Sequence, residues 1–236
     1  MGIYNIDRIF NPGTIAVIGA SEKAGSVGST LMLNLAQSGF KGELFPVNPR
    51  HKTIHGLKTL PSILKTEHSI DLAVIATPIE TVPSIVKECV QKGVKGAIIV
   101  SAGGKEAGTK GQEIEAQIAK YAREGGLRVI GPNCLGIVCP QRSLNASFAA
   151  HMPYNGNLAF ISQSGAICSA ILDLSMQEGF GFSHFVSIGS MVDVDFGDLI
   201  DFLGADAQVN SILLYIESLT HVRKFMSAAR AVSRSK

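Results

Sequence analysis

Glycine and serine residues cluster immediately after a short apolar run near the start of the sequence. Residues 14–19 read TIAVIG and end in Gly19, and Ser21, Gly25 and Gly28 come next. Glycine lets the backbone approach a phosphate closely, and a helix N-terminus offers free N–H groups to an anion. The spacing is not GxGxxG, but the position of these residues after an apolar run predicts a phosphate-binding turn.

The residues after the second apolar run narrow the choice of ligand. Residues 43–47 are followed by Asn48 and Pro49, and then by the cations Arg50 and Lys52. An NAD site calls for an acidic residue at this point, because the acid binds the ribose hydroxyls. The lack of an acid disfavours NAD and fits a ligand with a phosphate on its ribose, such as coenzyme A or NADP. A solvated basic loop is the alternative.

Three further apolar runs end in small or turn-forming residues. In parallel sheets, ligands bind beyond the carboxyl ends of the strands, so these residues are expected to share one edge. The candidates are Thr77 and Pro78, Ser101 and Ala102, and Asn133 and Cys134. Each pair alone is typical of a tight turn, and their convergence on one edge is what predicts a binding site for a slender ligand.

A second candidate anion site lies in the latter half of the sequence. Ser162, Ser164 and Gly165 join an apolar run to a helical pattern, so hydroxyls and N-terminal amides could hold a phosphate there. Glu217 ends the apolar run SILLYIE, where a carboxylate could orient an imidazole. The alternative role for Glu217 is to cap the helix that begins near Thr220.

The remaining acids, thiols and imidazoles predict neither a metal site nor a catalytic histidine. Asp193, Asp195 and Asp198 in VDVDFGD are more typical of helix caps than of metal ligands. The four cysteines form no CxxC pair, and the six histidines have no partner at the spacing of a nucleophile or a metal ligand. We therefore interpret the cysteines as reduced, buried thiols.

Alternating strands and helices would position these residues. The first half predicts strands at 14–19, 43–47, 71–77, 95–101 and 127–130, with helices at 26–38, 81–92 and 112–124. Strands this uniformly apolar are buried on both faces, which is typical of a doubly wound parallel sheet.

The rhythm breaks at residues 140–157, which indicate a linker or a small hairpin, and then restarts. The second block predicts strands at 158–162, 182–188 and 211–216 and helices at 166–177, 196–203 and 221–233. We therefore expect domains at 1–150 and 151–236. Because three strand–helix units are few for an open sheet, the second domain is expected to be the first part of a larger one. The alternative is a small domain whose sheet edge a partner covers.

Composition excludes several functional classes. The 236 residues are 46% apolar and 17% charged, so a disordered chain is excluded. A net charge of +2 indicates no nucleic-acid or anionic-membrane partner. No apolar run approaches the roughly 20 residues that span a bilayer. The first residues lack a basic region followed by an apolar core, so secretion is not expected. These features favour a cytoplasmic protein.

Taken together, the motifs resemble those of the NDP-forming acyl-CoA synthetases and, more distantly, the alpha subunit of succinyl-CoA synthetase. The resemblance rests on TIAVIGAS, GxVG, PVNP, DLAVIATP, KGAIIVSAGG, GPNCLGI, LAFISQSGA and LLYIES. The stretch from SLNASF to FMSAARAVSR is especially similar to protein lysine acetyltransferases that join a synthetase-like region to a GNAT domain.

The resemblance implies a CoA-binding Rossmann-like domain followed by an incomplete flavodoxin-like α/β domain. It places Gly19, Ser21, Gly25 and Gly28 at the CoA pyrophosphate, and Asn48, Pro49 and Lys52 near the adenosine phosphate. It places Thr77, Pro78, Ser101, Ala102, Asn133 and Cys134 along the nucleotide and pantetheine path. Ser162, Ser164 and Gly165 would cradle a phosphate, and Glu217 would support a phosphorylated histidine as the catalytic carboxylate.

The implied reaction converts acid, CoA and ATP into acyl-CoA, ADP and phosphate. The family's phosphorylated histidine and ATP-grasp part lie outside this sequence, so ATP/ADP and Mg would act through parts absent here, in the parent chain or in a partner subunit. We therefore expect a CoA- or acyl-CoA-binding portion without turnover of its own. The alternative is the acyl-CoA-sensing region of a GNAT-type acetyltransferase, and an NADP-binding oxidoreductase or redox sensor is less favoured.

Overall fold

The computed structural model describes residues 2–234 and residue 236, which form alternating strands and helices. The strands are β1 (Thr14–Ile18), β2 (Glu43–Val47), β3 (Thr53–Ile54), β4 (Leu57–Lys58), β5 (Leu72–Ile75), β6 (Gly96–Ile99), β7 (Arg128–Ile130), β8 (Gly136–Cys139), β9 (Leu144–Ser147), β10 (Tyr154–Ser162), β11 (Gly181–Ser187) and β12 (Ser211–Tyr215). The helices are α1 (Asp7–Phe10), α2 (Val27–Gln37), α3 (Val82–Lys92), α4 (Thr109–Gly125), α5 (Gly165–Glu178), α6 (Phe196–Gly204) and α7 (Val222–Val232).

The first sheet is parallel throughout, in the order β2-β1-β5-β6-β7. Every residue of β5, β6 and β7 is buried, because helices cover both faces. The strand order reverses between β1 and β5, the point where doubly wound sheets bind ligands beyond the strand ends. The predicted α/β fold with a doubly wound parallel sheet is confirmed.

Local signals in the sequence set where the helices begin and end. The hydroxyl of Ser26 accepts a hydrogen bond from the backbone N–H of Ser29 and caps the start of α2. Gly93 and Gly126 adopt the left-handed conformation directly after α3 and α4, with φ of 82° and 65°. The predicted helices therefore end where glycine allows the chain to turn.

The second sheet has the order β12-β10-β11-β8-β9, in which β10 pairs in parallel with β11 and β12. Strands β8 and β9 form an antiparallel hairpin that adds to β11. Part of this hairpin lies before residue 140, in a stretch for which no strand was predicted. The change from one sheet to the other therefore precedes residue 150.

A buried arginine joins the first sheet to the start of helix α6. Arg128 on β7 is 2% exposed, and its guanidinium pairs with Asp193 at 2.9 Å and with Asp198 at 3.2 Å. The same guanidinium donates to the backbone carbonyls of Gly2 and Tyr4. One side chain therefore ties together the first sheet, helix α6 of the second half and the amino-terminal segment.

The predicted role of the acidic cluster as helix caps is confirmed for two of its members. Asp195 and Asp198 form a capping box at the start of α6. Lys224 on α7 pairs with both carboxylates, at 3.0 Å and 2.6 Å, and His221 lies 2.9 Å from Asp195. Burial raises the pKa of Asp198, and this effect exceeds the opposing effect of Lys224.

Two absences can be stated for the part of the chain that the structure describes. None of its helices combines the length and hydropathy that a bilayer crossing requires. Its histidine, cysteine and acidic side chains form no group of three that could hold a metal ion.

Candidate functional site

A cleft of about 650 Å³ lies where the carboxyl ends of the first sheet meet the start of α5. The residues around it come from four strand ends, from the loop after β9 and from the starts of α2 and α5. They are Val27, Ala76, Thr77, Pro78, Val100, Ser101, Ala102, Asn133, Cys134, Leu135, Phe148, Gln163, Gly165, Ala166 and Ser169. All three predicted pairs of strand-end residues are among them.

Hydrogen bonds hold the three strand ends together. The hydroxyl of Ser101 donates to the backbone carbonyl of Thr77 at 2.6 Å. The backbone N–H of Asn133 donates to the carbonyl of Ser101 at 2.9 Å. The structure therefore brings these residues into one wall of the cleft, with the side chain of Asn133 exposed.

Cys134 belongs to this wall but is not poised for chemistry. Its thiol is buried and donates to the carbonyl of Ile99 at 3.3 Å. Burial raises the pKa of Cys134 to about 12, so the thiolate is scarce at neutral pH. Cys134 therefore shapes the cleft and does not act as a nucleophile.

Two of the predicted phosphate-turn glycines are required by close backbone packing. A Cβ on Gly28 would collide with the carbonyl oxygen of Gly19, and Gly19 itself has φ of +92°. The amide of Asn48 donates to the carbonyl of Ala20 at 2.8 Å and braces the same turn. These residues place the N-terminus of α2 against the end of β1, beside the cleft. Among the described residues of this turn and of the start of α2, only Val27 lines the cleft.

The other residues predicted near the pyrophosphate and the adenosine phosphate lie on the loops after β1 and β2. Ser21 accepts a hydrogen bond from the backbone of Lys23, and Gly25 has open space around it at φ of +74°. Pro49 and Lys52 are exposed after β2. The structure thus puts them at the same edge of the sheet without bringing them into the lining of the cleft.

The start of α5 forms the opposite wall. Ser164 caps the helix by accepting from the N–H of Ile167, and Gly165 is the first helical residue, with open space in front of it. Ser162, which was also predicted to bind phosphate, is fully buried. Its hydroxyl donates to the carbonyl of Ser164 and accepts from its N–H, so Ser162 shapes the turn from beneath.

Gln163 is a cleft residue that the sequence analysis missed. Its side-chain oxygen accepts from the backbone N–H groups of Glu217 and Ser218 at 2.7 and 2.8 Å. Its amide nitrogen also donates to the hydroxyl of Ser218. Gln163 therefore fixes the backbone at Glu217, an exposed residue just after β12, relative to the start of α5. No local sequence pattern predicts a contact between residues that are 54 positions apart in the sequence.

Leu135 and Phe148 were missed as well, and both form an apolar part of the lining. Leu135 is 6% exposed, and its carbonyl accepts from the N–H of Phe148 at 3.2 Å. Phe148 falls in the segment that was read as a linker or small hairpin, where a lone aromatic residue carries no signal for a site.

Comparison with known protein families gives matches along almost the whole sequence. Residues 13–140 match the family described as "CoA binding domain", and residues 155–236 match the "Succinyl-CoA ligase like flavodoxin domain".

The chain is also similar to several known proteins. It is 42% identical over 231 residues to an ADP-forming acetate–CoA ligase I from Archaeoglobus fulgidus, covering 98% of this chain and 33% of that protein. It is 39% identical to the alpha subunit of ADP-forming acetate–CoA ligase I from Pyrococcus furiosus, covering 98% of this chain and 51% of the subunit.

A solved structure from the archaeon Ca. Korarchaeum cryptofilum has a closely similar fold. This acetyl-coenzyme A synthetase 1, in complex with phosphate and ADP, superimposes with a TM-score of 0.93 at 37% identity, covering 97% of this chain and 49% of that chain. The chain thus spans between a third and about half of the length of these relatives. They give the acetyltransferase alternative no support.

Proposed function

The chain belongs to the NDP-forming acyl-CoA synthetase family, and we propose that it is the CoA-binding portion of an ADP-forming acyl-CoA ligase. The parent protein would convert a carboxylic acid, CoA and ATP into acyl-CoA, ADP and phosphate. One observation carries the proposal: three hydrogen-bonded strand ends and the start of α5 face each other across one cleft. A thiol carrier and a phosphate can meet there.

The geometry suggests a direction for CoA along the cleft. The turn after Gly19 and the start of α2 at Gly28 would face the pyrophosphate with backbone N–H groups, and Lys52 on the loop after β2 would lie near the ribose phosphate. Thr77 and Ser101 would flank the pantetheine arm. The thiol would then reach the region between Asn133 and the start of α5.

The start of α5 fits the phosphate end of the reaction. Helix ends leave the first N–H groups without intrahelical partners, so those of Gly165 and Ala166 are available to an anion. The hydroxyl of Ser164 lies beside them. An acyl phosphate whose phosphate group is held there would offer its carbonyl carbon to the CoA thiol. The sulfur–carbon bond would form as the bond between that carbon and the phosphate oxygen breaks, and inorganic phosphate would leave with the thiol proton. Glu217, fixed by Gln163, would support the phosphorylated histidine of the parent protein.

The lining of the cleft also indicates the kind of acid. Among the residues that the structure describes, none with a charged side chain lines it. Because the phosphate would occupy the N–H groups at the start of α5, a second carboxylate on the acid would find no cationic side chain in this lining, which disfavours it. We therefore propose a monocarboxylic acid. ATP, ADP and Mg would bind parts of the ligase outside this chain. The free, buried cysteines fit a reducing compartment and support a cytosolic location.

Calorimetric titration of this chain with CoA and with dephospho-CoA tests the proposal. We expect CoA to bind more tightly, because dephospho-CoA lacks the ribose phosphate that Lys52 would contact. Lys52→Gln should reduce CoA affinity to the level of dephospho-CoA, whereas Lys58→Gln on the nearby hairpin should not. Equal affinity for both ligands would refute the role of Lys52, and an absence of CoA binding would refute the proposed function. We expect no acyl-CoA formation by this chain alone.

A further inference from the structure

Phe148 is held in place more firmly than its position in a loop would suggest. It follows β9, and its side chain packs against two apolar clusters, one running through both sheets and one beneath α5. The amide of Asn34 on α2 donates to the carbonyls of Ser147 and Ala149, at 2.8 and 2.9 Å. These two carbonyls flank Phe148 on either side, so its backbone is clamped from a different layer of the fold.

The part of Phe148 that is not buried lies on the cleft. Its backbone N–H donates to the carbonyl of Leu135, and both side chains are apolar parts of the lining. Ala166 and Ser169, one turn apart on α5, line the same cleft with small side chains. The start of α5 therefore has an apolar surface beside its free N–H groups, and Phe148 is the largest side chain there.

We propose that Phe148 sets the length of the acyl group that the cleft accepts. This inference rests on the proposed function. An acyl group bonded to the CoA sulfur or to a phosphate lies within a few bonds of the start of α5, so its tail must extend over Ala166, Ser169, Leu135 or Phe148. Because Asn34 clamps the backbone of Phe148, the ring cannot withdraw by moving the loop. The cleft then fits short aliphatic acyl groups and excludes long ones.

Titration of the chain with acetyl-CoA and hexanoyl-CoA tests the proposal. The wild-type chain should bind hexanoyl-CoA about tenfold or more weakly than acetyl-CoA, since a few misplaced methylenes have effects of this size. Phe148→Ala should bring the two affinities within about threefold of each other by improving the binding of hexanoyl-CoA. Phe148→Leu, which preserves more of the packing, should give an intermediate ratio.

Phe180→Ala is the matched control, because Phe180 is also partly buried but is not part of the cleft lining. It should retain the wild-type ratio. If CoA itself binds but the ratio is unchanged in Phe148→Ala, the role of Phe148 is overturned while the proposed function stands. If Phe148→Ala does not fold, an unchanged ratio in Phe148→Leu overturns it. A failure of the wild-type chain to bind CoA would instead refute the proposed function.

Discussion

His184 makes the stability of the protein depend on pH in a way that one substitution can isolate. The side chain lies on β11 and is 2% exposed, and within the described part of the chain neither ring nitrogen has a hydrogen-bond partner. The ring packs edge-on against Phe10. Burial lowers the pKa of His184 to about 4, although Asp206, 3.9 Å from Nε2, acts in the opposite direction.

The sign of the effect follows from the lowered pKa. The unfolded chain binds a proton on His184 near pH 6.5, whereas the folded protein resists it until about pH 4. The stabilisation is therefore present above pH 6.5 and is lost as the pH falls towards 4. This difference between the unfolded and folded pKa values of His184 corresponds to about 3 kcal/mol of unfolding free energy in all, of which about 2 kcal/mol is lost by pH 4.5.

Urea unfolding at pH 7.5 and pH 4.5 measures this contribution. The wild-type protein should lose about 2 kcal/mol more between the two pH values than His184→Leu does. Comparing each variant with itself removes any packing change that the leucine introduces. His151→Leu, at an exposed position, should behave as the wild type does. Equal losses in the wild type and in His184→Leu would refute the reasoning.

Two further predictions concern the packing that supports the cleft. Gly28→Ala should lower the unfolding free energy in urea by about 3 kcal/mol, because the new methyl group collides with backbone. Gly25→Asn should lower it by only about 1 kcal/mol, because Gly25 has open space around it and asparagine tolerates its positive φ better than most residues. Similar losses in the two variants would contradict the close approach. Arg128→Met should lower the unfolding free energy by about 3–5 kcal/mol, because buried carboxylates such as Asp198 lose this partner. The control Arg8→Met, in an exposed ion pair, should lower it by less than about 1 kcal/mol. The same urea assay measures both arginine variants, and equal losses would disprove the stabilising role of the buried Arg128 ion pairs.

The sequence predicted well those elements whose signal is local. The run at residues 43–47 became β2 without a change in its bounds, and helix α3 ended at Gly93 as expected. Strands β3 and β4 were missed because two residues each are too few to show an alternating pattern. Strand β8 was missed because it is only four residues long and directly follows the turn that ends the first sheet.

The candidate site divides in the same way. Thr77, Ser101 and Asn133 could be placed together because parallel strands carry their carboxyl ends to one edge. Gln163 and Phe148 could not, since their positions depend on contacts with residues more than 50 positions away in the sequence. The assignments to individual parts of CoA stay predictions until a ligand is bound.

The hairpin of β8 and β9 makes the two halves of the molecule mutually dependent. The hairpin follows β7, the last strand of the first sheet, and forms one edge of the second sheet. The residues that link the two halves are therefore also part of the second sheet. If the chain were cut in the loop before β10, the hairpin of β8 and β9 would stay with the first half. The edge of β11 would then be unpaired, and other chains could pair with it. The two halves on either side of the cleft are therefore connected through this hairpin, and a displacement of one half would displace the other.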